Sequence, residues 1–109
     1  MSIKCDEYGQ VCVIALEGDF VGADTLEAQQ AVEERSGAGH FVIDFERTEF
    51  ISSQGLEALL AIRRRCEHRG GRVALAGLDP NCQKILELTR LDRRFECHPD
   101  VAKAMKMVM

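Results

Sequence analysis

Apolar residues in this chain come in short runs separated by polar and glycine-rich breaks, and the spacing inside each run separates strand from helix. Ile3 to Glu7 predicts a short strand, Tyr8-Gly9-Gln10 a tight connection, and Val11 to Leu16 a strongly apolar second strand. Together they predict a hairpin. Glu17-Gly18-Asp19-Phe20-Val21-Gly22 carries two glycines and ends the second strand. Asp24 followed by Glu27 has the form of a capped helix start, with the helix running to about Arg35 through Leu26, Ala28, Ala31 and Val32. Its apolar stripe is weak, crowded by Gln29, Gln30, Glu33 and Glu34, so it covers the sheet only in part. Ser36-Gly37-Ala38-Gly39 stops it.

Phe41 to Phe45 is apolar almost throughout, as a central, buried strand is. Past Gly55 the pattern turns helical, with Leu56, Leu59, Ile62 and Cys66 spaced three, three and four apart, up to about His68. Arg69-Gly70-Gly71-Arg72 makes the turn out, and Val73 to Gly77 predicts another short buried strand. Asp79 as a cap and Pro80 in the first turn start a helix with Cys82, Ile85, Leu86 and Thr89 on one face. Phe95-Glu96-Cys97 reads as a last edge strand. His98-Pro99 opens a final helix carrying Val101, Ala104, Met105 and Val108 at amphipathic spacing. The order β-β-α-β-α-β-α-β-α predicts one small α/β domain over residues 1–109. Its mixed sheet has four to five strands, with about four helices and right-handed crossovers between the later strands.

Charge and cysteine usage narrow the function classes. A formal net charge of −4 argues against non-specific nucleic-acid binding. Arg63-Arg64-Arg65, Arg69 and Arg72 are a local exception, read either as a solvated helix face or as a site for an acidic partner. No aromatic residue is interleaved with them to stack on bases. No apolar run approaches membrane-spanning length, and Met1 to Glu7 lacks the apolar core of a signal peptide, so a cytoplasmic protein without membrane insertion is expected. The five cysteines, at 5, 12, 66, 82 and 97, show no zinc spacing and predict reduced thiols, with Cys12, Cys66 and Cys82 acting as small hydrophobes.

The chemistry concentrates where the central strand hands over to the next helix, at Ser52-Ser53-Gln54-Gly55. The first N–H groups of a helix lack intrahelical acceptors and the dipole there favours negative charge. These hydroxyls are therefore either helix caps or a place where a phosphate would meet unpaired donors. Asp44, near the carboxyl end of the strand, is either an acceptor for the following loop or part of a recognition site. A hydrolase is not expected: Ser53 has Gly55 two places after it but Ile51 two places before, which is half of a nucleophile elbow. Phosphate-binding loops, dinucleotide fingerprints and paired catalytic carboxylates are also missing, so neither catalysis nor a cofactor or metal is expected.

Ile51-Ser52-Ser53-Gln54-Gly55-Leu56, preceded by Phe41-Val42-Ile43-Asp44-Phe45, resembles the signature of the STAS domain family, whose best-known members are anti-sigma factor antagonists. Leu16-Glu17-Gly18-Asp19-Phe20 is similar to the family's early Leu-x-Gly-Glu-Leu block, and Gly70-Gly71-Arg72-Val73-Ala74-Leu75-Ala76-Gly77 to its Gly-Gly strand. Ile85 to Leu91, followed by Phe95, is similar to a terminal segment whose helix ends in Thr-Gly-Leu. Four blocks in order make the resemblance specific across nearly the whole chain.

The resemblance implies a non-enzymatic protein that binds an anti-sigma factor. That partner is also a serine kinase and binds the ATP itself. Phosphorylation ends the binding and a phosphatase restores it. Aligning on Gly55-Leu56 places the phosphoacceptor at Ser53, with Asp44, Ser52, Gln54 and Gly55 forming the rest of the switch loop and partner surface. Two positions depart from the family pattern: Val21 stands where antagonists commonly carry Asp, and Arg90 where the family's Gly ends a helix. Other STAS roles compatible with these residues are a subunit of a signalling scaffold or transport ATPase complex, and a small-molecule or nucleotide sensor. Apolar residues on the first helix offer a surface for a homodimer.

Overall fold

The computed structural model describes residues 2–35 and 37–109, so Ser36 of the expected helix stop lies outside it. A five-stranded mixed sheet forms the centre, with strands in chain order across it. Strand β1 (Ser2–Tyr8) pairs antiparallel with β2 (Val11–Glu17) through a turn at Gly9 and Gln10, where Gly9 takes a φ of 63°. Two-residue hairpin loops need such positive φ values. Strands β3 (His40–Arg47), β4 (Val73–Ala76) and β5 (Glu96–His98) follow in parallel, with β5 at the edge.

Three helices, α1 (Ala23–Glu34), α2 (Ser53–His68) and α3 (Pro80–Leu88), share one core with the sheet. Phe41, Ile43 and Phe45 of β3 point into it, together with Ile14 and Leu16 of β2 and Leu75 of β4. Phe20 meets Phe45 edge to face, with ring centroids 6.3 Å apart. The last helix, α4 (Val101–Val108), lies against the opposite face. There Ala104 and Val108 pack with Val11, Val13, Val42 and Ala74. The two-residue period of a strand explains the division: alternate residues of β2, β3 and β4 serve opposite faces.

Two helix starts differ from expectation. Helix α1 begins at Ala23 behind Gly22, whose φ of 56° sets the entry, and no side chain caps it. Asp24 sits one residue inside the helix rather than before it, and Leu26 points outward at 61 % exposure, leaving Thr25, Ala28, Ala31 and Val32 as the buried stripe. Helix α4 is capped by Asp100, whose carboxylate accepts from the Lys103 N–H at 2.8 Å. His98 remains in the sheet, where its carbonyl accepts from the Gly77 N–H at 3.0 Å. Helix α3 begins as expected, with the Asp79 carboxylate accepting from the Cys82 N–H at 2.8 Å and Pro80 in the first turn.

Candidate functional site

The site is built where β2 and β3 run off the sheet side by side. Residue partners shift by one between Ala15 and Glu17, because β3 holds an extra residue there. Such a bulge bends the strand and ends regular pairing. Beyond it the two segments keep contact: the Phe20 N–H donates to Phe50 O at 2.9 Å and the Ser52 N–H to Phe20 O at 3.1 Å. Thr48 anchors this region from below. Its buried hydroxyl donates to Leu16 O at 3.3 Å, and its carbonyl accepts from the Cys82 thiol at 3.5 Å.

Helix α2 therefore starts in a fixed place. Ser52 is its N-cap, with an extended backbone and a side-chain oxygen that accepts from the Gly55 N–H at 3.1 Å. The same hydroxyl donates to Phe20 O at 3.4 Å. Gly55 is buried, and a Cβ at that position would lie 2.6 Å from Phe20 O and 2.8 Å from the Ile51 side chain. Ser53 and Gln54, the first two residues of the helix, are exposed. Of the two adjacent hydroxyls, one is spent on structure and the other faces solvent.

Asp44 stands apart from this group. It alternates with Ile43 and Phe45, so its side chain leaves the sheet on the α4 face. Its carboxylate accepts from the Glu46 N–H at 2.9 Å, a bond within β3 beside the bulge rather than one to the following loop. Ser52, Ser53, Gln54 and Gly55 form the start of α2, and Asp44 lies on β3 before the bulge.

Residues that sequence reasoning passed over complete the surface. Leu26, Gln54, Glu57 and Ala58 line a groove between α1 and α2. On the other side of the loop Phe50, 48 % exposed, and Leu88, 75 % exposed, line a second groove with Asp19, Glu49 and Lys84. The signal for Phe50 was available: Ile51 faces inward, so its predecessor faces out. Cys12, Cys66 and Cys82 are buried. Burial pushes Cys12 and Cys66 up to about 11, and Cys82 up to about 12, with the Asp79 carboxylate adding to the effect. Among the described residues no cluster of His, Cys, Asp or Glu could hold a metal, and no helix is long and apolar enough to cross a membrane.

Comparison with known proteins agrees with this architecture. A sequence model of the STAS domain matches residues 2–104. BtrV of Bordetella bronchiseptica, named as a candidate anti-sigma factor antagonist, is 26 % identical over 91 residues, covering 82 % of this chain and 78 % of its own. The anti-sigma F factor antagonist of Paenibacillus polymyxa is 21 % identical over 109 residues, covering 96 % and 92 %. The phosphorylated form of the Bacillus cell fate determinant SpoIIAA superposes with a TM-score of 0.78 at 19 % identity, over 99 % of this chain and 100 % of that one.

Proposed function

This chain belongs to the STAS domain family, and on that premise we propose that it is an anti-sigma factor antagonist, a cytoplasmic, non-catalytic binding protein switched by phosphorylation of Ser53. The observation that carries this reading is the exposed Ser53 side chain on a helix start that Ser52 and Gly55 hold without its help. The names of the two relatives support an anti-sigma factor as the partner. That partner carries the ATP and the serine kinase activity, and a phosphatase resets the switch.

The physical chemistry supports a switch without refolding. A phosphoserine adds a charge of about −1.5 to −2 and three acceptor oxygens. At Ser53 these oxygens meet the open end of α2, where the N–H groups of Ser53 and Gln54 precede the first intrahelical bonds. The fold tolerates the modification. A docked partner does not, because Leu26 and Phe50 beside the loop form a surface that works by excluding water. Desolvating the phosphate there costs several kcal/mol by order of magnitude, and Glu49 and Glu57 add like charge.

The test is binding of the chain to its anti-sigma factor kinase, with Ser53→Ala and Ser53→Asp beside the parent. The parent and Ser53→Ala should bind alike, and Ser53→Asp should bind more weakly. Equal binding by all three would remove Ser53 as the switch.

A further inference from the structure

The surface along α2 changes character from one end to the other. Near Ser53 the α1–α2 groove is lined by Leu26, Gln54 and Ala58. At the far end Arg64, Arg65, His68 and Arg69 surround a second recess. The two recesses share Ala61 and Arg64, so they form one track along a helix about 24 Å long at 1.5 Å per residue.

Basic residues at a helix C-terminus commonly serve its unpaired carbonyls. Here the backbone does so: the Arg69 and Gly71 N–H groups donate to Cys66 O at 3.1 and 2.8 Å, and the Gly70 N–H donates to Glu67 O at 3.0 Å. Arg65 pairs with Glu33 at 2.8 Å, and Arg63 with Glu67 at 3.5 Å. Among the described residues Arg64 and Arg69 take part in no ion pair. A chain of net charge −4 thus gathers positive charge without ion-pair partners at one end of a groove whose other end sets Leu26 among Gln29, Gln54 and Glu57.

We propose that this track docks an acidic, amphipathic segment of the partner protein, with apolar side chains over Leu26 and Ala61 and carboxylates on Arg64 and Arg69. This deepens the antagonist reading and rests on it for the partner's identity. Charge complementarity selects the acidic end, and continuity with the Ser53 surface selects a protein partner. A nucleic acid fits less well, because no aromatic side chain lines the track for stacking and Glu57 lies along it.

The test uses the intact chain and a short fluorescein-labelled helical peptide with leucines along one face and glutamates at one end. Fluorescence anisotropy should show binding that weakens as salt rises. The double variant Arg64→Ala, Arg69→Ala should lose affinity about fivefold, the size of two exposed ion pairs. A lysine pair at the same positions should retain most of it. The inference is overturned if a glutamine version of the peptide binds equally well, if the alanine pair binds unchanged, or if an oligonucleotide of equal charge binds more tightly. The antagonist reading is scored separately, by Ser53 phosphorylation in the parent. Peptide failure with that phosphorylation intact removes this inference alone, and peptide binding without it removes the antagonist reading alone.

Discussion

A Cβ on Gly55 would lie 2.6 Å from the carbonyl oxygen of Phe20, well inside van der Waals contact. That carbonyl also accepts from the Ser52 N–H, so it cannot retreat without breaking the link between the β2 and β3 extensions. Gly55→Ala should therefore destabilise the fold by about 1–3 kcal/mol, the usual size of overpacking. Helix propensity alone would make the same change favourable. Urea unfolding gives the sign directly. The variant should also be a poorer kinase substrate, because the shift falls on the turn that carries Ser53.

Ser52 and Ser53 are adjacent and should respond differently. Ser52→Ala removes the side-chain cap on Gly55 and should cost about 1 kcal/mol. Ser53→Ala removes an exposed hydroxyl and should change stability by less than about 0.5 kcal/mol. Thermal unfolding of the two variants side by side checks this division between a structural serine and a functional one.

Arg90 has a φ of 61°, the one positive value among the described residues outside glycine. It follows the C-cap of α3 and leads into a short 3-10 turn, Leu91–Arg93. A side chain in that conformation costs roughly 1–2 kcal/mol, part of which glycine's greater unfolded freedom takes back. Arg90→Gly should stabilise the protein by about 1 kcal/mol, read as a higher denaturation midpoint with an unchanged slope. A glycine would meet without strain the left-handed conformation that Arg90 adopts.

Much of the fold was legible because strands of period two and helices of period 3.6 were separated by glycines with clear stop signals. Helix α1 shows where such reading fails. Asp24 and Glu27 look like a reciprocal cap, but entry is set by Gly22, and Thr25 turns its hydroxyl back to donate to Gly22 O at 2.7 Å. Backbone conformation decided the start, and the side-chain pattern lies one residue inside it. Leu26 lies two residues, about 200° of helix, from Ala28, so it cannot share the buried stripe of Ala28, Ala31 and Val32. The face that Asp44 takes was legible in the sequence, because it alternates with Ile43 and Phe45. Thr48 left no signal, because its value lies in Leu16 and Cys82, 32 and 34 residues away.

The buried thiols link stability to alkaline pH. Cys12, Cys66 and Cys82 ionise later in the folded chain than at their ordinary value of 9.0. A raised folded pKa means that stability is fully present below the unfolded value and is lost as pH rises through the folded one. Stability should hold to about pH 9 and fall between there and pH 11–12. In the folded protein at neutral pH these three thiols should resist alkylation, and all should react in denaturant. Mass spectrometry of the alkylated chain counts them.

The most direct measurement is phosphosite mapping by mass spectrometry on the protein isolated from its native cells, with Ser53→Ala prepared in parallel. Phosphate on Ser53, absent from the variant, is the predicted result. Phosphate confined to another residue, or none under any growth condition, would contradict the Ser53 switch.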